Sequence, residues 1–209
     1  SRRGDTTAAI ALLEEGLPQV QYERSAVRFA LAQLLIETQQ QDSALTMLKG
    51  VIFEGGDTVR ALFNIGAIDE QTDRFDDAVN SFELLLSIDS THAQALNYLG
   101  YMFADRNVRL QESLRLIQRA LAQDSTSGAF LDSYAWILYR LGRYQESLAQ
   151  IEKAIELMPV EDPIVNEHLG DIQFALGNVA EARAAWEAAL QLDPGNESLR
   201  EKLSVHAAP

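Results

Sequence analysis

The stretch LDSYAWILYRLGRYQESLAQIEKAIELMP, residues 131–159, decides how this chain is built. Apolar residues recur every three or four positions up to Leu141 and again from Tyr144 to Leu157, with Gly142 between the two runs. That spacing places apolar side chains on one stripe of each of two helices, joined by a tight turn. Small residues interrupt the stripes at Ala135, Gly142, Ser147 and Ala154. A stripe built only to bury apolar area would not contain them.

The rest of the chain supplies the reason. The small residue that opens the second helix, Ser147, has equivalents at Ala44, Ala78, Ser113 and Ala182, at steps of 34 or 35. Four positions after each comes a large apolar residue: Leu48, Phe82, Ile117, Ile151 and Trp186. Ahead of them lie apolar–small pairs, Leu31-Ala32, Ile65-Gly66, Leu99-Gly100, Tyr134-Ala135 and Leu169-Gly170. A fixed period of this length marks an array of stacked helical hairpins. Small positions let helices approach closely and large ones fill the gaps between them, as packing at interior density requires. On that reading Ala154→Leu overpacks and costs about 1–3 kcal/mol.

This pattern resembles the tetratricopeptide repeat over about residues 25 to 196, most fully in the last two units. The resemblance implies an all-α, right-handed α-solenoid of antiparallel helix pairs, about a dozen helices in all. The units run 25–58, 59–92, 93–127, 128–162 and 163–196. Residues 1–24 read as the second helix of a truncated preceding repeat plus a linker, with Asp5 or Thr6 as its cap. Residues 197–209 read as a C-terminal capping helix and tail. Earlier units drift from the pattern, with Val51 and Leu85 at the late small position; Arg28 in the first unit and Asn166 in the fifth stand where the first helix usually has a large apolar residue. The third unit has one extra residue in its turn, DRNVRLQ, with Asn107 in place of Gly. Gly142 and Gly177 suit a left-handed helix end. Pro159 and Pro194 stop second helices, and Asp89 and Asp193 read as turn formers at second-helix ends.

Composition excludes more than it selects. The 209 residues are 47% hydrophobic and 23% charged, with a formal charge of −14. Such a field repels nucleic acid and anionic membrane surfaces and attracts basic partners. No apolar run reaches the roughly 18 residues of a membrane span. Cysteine is absent, so disulfide and thiolate chemistry are excluded. The three histidines, His92, His168 and His206, form no spaced metal set, and no phosphate loop or nucleophile elbow is present. The chain reads as no enzyme, with no cofactor and no metal.

In the resembled family, first-helix positions that point away from the second helices line a concave surface. Carried onto this sequence, the partner-binding residues are Phe63, Asn64, Asn97, Tyr101, Asp132, Trp136, Tyr139, Asp171 and Phe174, beside flanking positions such as Phe29, Gln33, Ala129 and Ile164. Aromatics are favoured as binding anchors, and the amides and acids suit a peptide backbone or basic side chains. Trp136→Ala is then expected to weaken binding and spare the thermal melt. A competing reading has Trp136 and Tyr139 packed on the next first helix, and His168 as a packing residue. The Lys- and Asn-rich clamp of family members that grip chaperone tails is not matched: Phe29, Gln33, Asn64, Gln94 and Tyr98 occupy its positions, and only Asn64 agrees. The implied role is a protein-binding scaffold or adaptor for a peptide or partner helix. The alternatives are a substrate-recruiting array of a larger enzyme and a self-assembling oligomer. The phrases NYLGYMFADR and LDSYAWILYRLG resemble units of bacterial repeat proteins, outer-membrane lipoproteins among them. That leaves both cytoplasm and periplasm open, the latter with an anchor on a segment ahead of Ser1.

Overall fold

The computed structural model describes residues 2–20 and 22–205, so His206 lies outside the described residues. They form twelve α-helices and one short 3-10 turn, and none of them is in a strand. The chain divides into two compact units, Ser1–Ser90 and Thr91–Pro209.

The first unit contains α1 (Arg2–Gly16), the 3-10 turn (Leu17–Gln19), α2 (Arg24–Glu37), α3 (Gln41–Phe53), α4 (Thr58–Gln71) and α5 (Phe75–Ile88). Helices α2 and α3 pair, as do α4 and α5. The expected cap at Asp5 or Thr6 is corrected: α1 starts at Arg2, which puts Asp5 in its first turn. There its carboxylate complements the positive end of the helix dipole. Ile10 of α1 shares one buried cluster with Leu31, Leu35, Leu48 and Ile65, so α1 covers the α2–α3 hairpin.

The second unit contains α6 (Ala93–Asp105), α7 (Leu110–Gln123), α8 (Gly128–Arg140), α9 (Tyr144–Leu157), α10 (Pro163–Ala175), α11 (Val179–Leu192) and α12 (Glu197–Val205). The hairpins are α6–α7, α8–α9 and α10–α11, and α12 packs on α11. Each of α6, α8, α10 and α12 opens on a side-chain cap: His92 Nδ1, Ser127 Oγ, Asp162 Oδ1 and Asn196 Oδ1 accept backbone N–H groups of the helix that follows.

The small–large alternation is visible atom by atom. The Phe82 ring lies against Gly66, so closely that a Cβ there would come within 2.8 Å of Phe82 Cζ. A Cβ at Gly170 would overlap the Trp186 ring. Where the facing residue is aliphatic, as with Leu48 and Ile151, the first helix carries Ala32 and Ala135 instead. In these four pairs a ring faces Gly and an aliphatic side chain faces Ala; the third unit departs from this, with Gly100 opposite Ile117. The two serines at the opening of second helices have a further use. Ser113 Oγ donates to Gly100 O at 2.5 Å and Ser147 Oγ to Ala135 O at 2.6 Å, both buried, which locks the pairs α6–α7 and α8–α9.

The drifting positions find local compensation. Val51, larger than the alanines at this position in the last three units, is fully buried because Gly56 leaves room: a Cβ there would meet Val51 Cγ1 at 2.8 Å. The Arg28 stem lies over Gly50, where a Cβ would meet its Cδ at 2.8 Å, and its Nε pairs with Glu54 at 2.9 Å. A long basic side chain replaces an apolar one by burying its methylenes and pairing its head.

The turn between the helices of each hairpin is also one device repeated. Gln39, Asp73, Asn107, Gly142 and Gly177 all have positive φ. The next residue's N–H reaches back to a first-helix carbonyl, as Arg143 does to Leu138 and Gln40 to Leu35. That is the six-to-one bond of a Schellman ending. The extra residue of the third turn is absorbed by a second left-handed residue, Arg109, at φ 49.

Candidate functional site

The residues expected on the partner face lie on α4 in the first unit and on α6, α8 and α10 in the second. In the first unit, Asn64 accepts from Gln33 Nε2 at 3.2 Å and donates to Arg60 O at 2.8 Å. The Arg60 guanidinium lies 4.2 Å over the Phe29 ring. Phe63 meets Phe82 edge-on at 6.0 Å between centroids.

The second unit brings its aromatics together in a column. The ring of Trp136 stacks on His168 at 4.2 Å on one side and on Tyr139 at 4.9 Å on the other. Tyr101 adjoins His168 at 6.2 Å, and Tyr144 adjoins Tyr139 at 5.6 Å. Trp136 is 8% exposed and His168 5%. Both are therefore packed within the unit, and the expectation that Trp136→Ala spares the melt is corrected. Arg140, the last residue of α8, lies 5.3 Å from Trp136 and donates to the carbonyls of Ala104 and Asp105. A cation there suits the negative end of α6.

The carboxylates have partners inside the chain. Asp132 Oδ1 lies 2.8 Å from His168 Nδ1. Asp171 accepts from Trp186 Nε1 at 2.9 Å and from Lys202 Nζ at 2.7 Å. Lys202 also meets Glu167 at 2.8 Å. Burial lowers the Lys202 pKa, but its hydrogen bonds to Asp171 and Glu167 outweigh that, and the group ends above its ordinary value. Burial, helped by the nearby Asp171 charge, pushes the Tyr139 phenol up. Phe174 packs at 5.6 Å from Trp186 yet stays 38% exposed.

Between α6, α8 and α10, beside the C-terminal end of α9, lies a cleft of about 300 Å³. Its polar lining includes Asn97, Tyr98, Tyr101, Asp132 and Asp162, and its apolar lining Met158, Ile164 and Val165. Four of these, Asn97, Tyr101, Asp132 and Ile164, were expected from the sequence; Tyr98 was named only as an unmatched clamp position, and Met158 and Val165 lie off the stripe carried over from the family. Among the described residues no group of three or more His, Asp or Glu is placed to hold a metal. No helix among them is long and apolar enough to cross a membrane.

The model of the Tetratricopeptide repeat family matches residues 69–128 and 134–197, more than half of the chain. The chain belongs to the tetratricopeptide repeat family. A TPR repeat-containing protein of Pseudomonas aeruginosa is 28% identical over 140 residues, 67% of this chain and 23% of the relative. The Hsp70-Hsp90 organizing protein of Triticum aestivum is 32% identical over 96 residues, 46% of this chain and 16% of the relative. The chain therefore spans less than a quarter of either relative. A tetratricopeptide repeat protein from Parabacteroides merdae superposes with a TM-score of 0.76 at 16% identity, covering 99% of this chain and 94% of that one. The Cut9–Hcn1 hetero-tetramer structure gives 0.81 at 13% identity, covering 98% and 40%. These likenesses establish the right-handed α-solenoid. The family is one of protein–protein interaction scaffolds.

Proposed function

We propose that this chain is a non-catalytic adaptor that holds a peptide or helix of a partner protein on the first-helix face of its second unit. The observation that carries the reading is the cleft among α6, α8 and α10, bordered by an aromatic column that packing has already ordered. Rigid aromatic walls lose little entropy on binding, which favours affinity. On this reading buried Trp136 holds the column in place, while Tyr101, which lines the cleft, and Phe174, which is 38% exposed, touch the ligand. The formal charge of −14 favours a basic partner. One relative is named for organising Hsp70 and Hsp90, which agrees with a protein ligand. The clamp positions, however, hold Phe29, Gln33 and Tyr98, so a C-terminal carboxylate is not the feature recognised.

The test is selection of peptides from a random display library against the whole chain, followed by affinity measurement on variants. Tyr101→Ala and Phe174→Ala should weaken the selected peptides by at least about tenfold, while Arg115→Ala on α7 should not. Equal affinity across all three variants overturns the proposal.

A further inference from the structure

The first helices of the second unit meet through a repeated pair of positions. A side chain three places before the small residue of one helix faces one two places before the small residue of the next. Between α8 and α10 the pair is Asp132 and His168, 2.8 Å apart. Between α10 and α12 it is Glu167 and Lys202, also 2.8 Å apart, with Ser204 as the small residue of α12. An acid thus meets a base at two successive steps. Between α6 and α8 the same positions hold Asn97 and Ser133. Ser133 is buried and carries no base, and the Asn97 carboxamide oxygen is shielded from solvent without a hydrogen-bond partner. The cleft of about 300 Å³ opens at this step, lined by both residues.

The chemistry of the cleft specifies what completes the pair. Two carboxylates, Asp132 and Asp162, line it, and no Lys, Arg or His does. Met158, Ile164 and Val165 give it an apolar lining as well. A shielded acceptor without a donor is costly, and a donor restores the loss. Carboxylates beside an apolar lining suit an ammonium on an aliphatic stem. Lys202 shows the same solution inside the chain: its Nζ lies 2.7 to 2.8 Å from oxygens of Glu167 and Asp171. The Asn97 carboxamide can turn to meet an entering donor, because its terminal torsion is broad. The volume fits one side chain and falls at the lower limit for a small-molecule pocket.

We infer that this cleft receives a lysine side chain of the partner polypeptide, its ammonium held by Asn97, Asp132 and Asp162 and its methylenes by Met158, Ile164 and Val165. The inference rests on the reading of the first-helix face as the partner surface.

The test is an amide-resolved NMR titration of the whole chain with N-acetyl-lysinamide, its arginine counterpart and its norleucine counterpart. The lysine probe should give saturable shifts at the amides of Asn97, Ser133 and Ile164. The norleucine probe should bind at least about tenfold more weakly, since it lacks the charge-assisted bonds. Asn97→Leu, which removes an unpartnered atom, should abolish the response with the melt unchanged. Asp162→Asn keeps a capping side chain and should weaken the lysine probe alone. Norleucine binding as tight as lysine overturns the ammonium assignment and leaves the partner-face reading intact. Arginine binding as tight overturns the choice of lysine. No response to any probe at these amides overturns the inference, and the peptide selection then decides the partner face separately.

Discussion

In residues 1–90 the polar side chains of the first helices bond to one another: Gln33 donates to Asn64, and Arg60 caps the Phe29 ring. In residues 91–209 the equivalent surface is a column of stacked rings flanked by acid–base pairs, Asp132 with His168 and Glu167 with Lys202. The hairpins beneath are alike in register, in turn geometry and in the small–large rule. Positions between the helices of a hairpin are fixed by volume, whereas positions on the outer face of the first helix are fixed only by what they meet. Binding chemistry therefore varies along the array while the backbone repeats.

The largest test of the shared scaffold is at the small–large pairs. Trp186→Ala empties a site that is 2% exposed and should cost about 3–5 kcal/mol in denaturant unfolding. Trp136→Ala should cost about 3 kcal/mol, lowering the melt although the residue lies on the proposed binding side. A loss below about 1 kcal/mol for Trp136 would return it to the role of an exposed anchor.

Glycine substitutions sharpen the comparison within the rule. Gly66→Ala and Gly170→Ala push a Cβ into an aromatic ring and should cost about 1–3 kcal/mol. At Gly100 a Cβ would stand 3.3 Å from Ser113 O. There the gain in helix propensity, about 1 kcal/mol, should offset most of the strain. At the turns, Gly177→Ala should cost about 1 kcal/mol, since φ is +85 and a left-handed alanine is disfavoured. Asn107→Gly should change stability by only a few tenths, because Asn tolerates that conformation.

The smallest effect concerns α12. Lys202 has a folded pKa above its ordinary value of 10.5. Its contribution is thus fully present below about pH 10.5 and lost as pH rises through the folded value. Wild type should lose stability at high pH more steeply than Lys202→Met, measured by denaturant midpoints across that range.

Much of the fold was legible because period and volume leave their mark on single residues. The Ala44-to-Ala182 register and the facing large residues required no structure to locate. The turn at Gln39 was illegible, since a left-handed Gln carries no signal, whereas Asp73 belongs to a type that tolerates that conformation and was a hint left unread. The start of α1 was missed because Asp5 reads equally as a cap or as a first-turn acid. The candidate site was only half legible. Sequence spacing puts Asp132, Trp136 and Asp171 on the first-helix stripe, but their engagement by His168, Lys202 and Trp186 depends on side-chain reach across 15 to 36 residues. Register alone contained the hint, since His168 and Lys202 both stand two places before a small residue.

The central claim, that a partner polypeptide lies on the first helices of the second unit, is tested most directly by amide hydrogen exchange of the whole chain with and without a library-selected peptide. The account predicts added protection concentrated on α6, α8 and α10, with α7, α9 and α11 unchanged. Protection on α7, α9 and α11 with the first helices unchanged would contradict it.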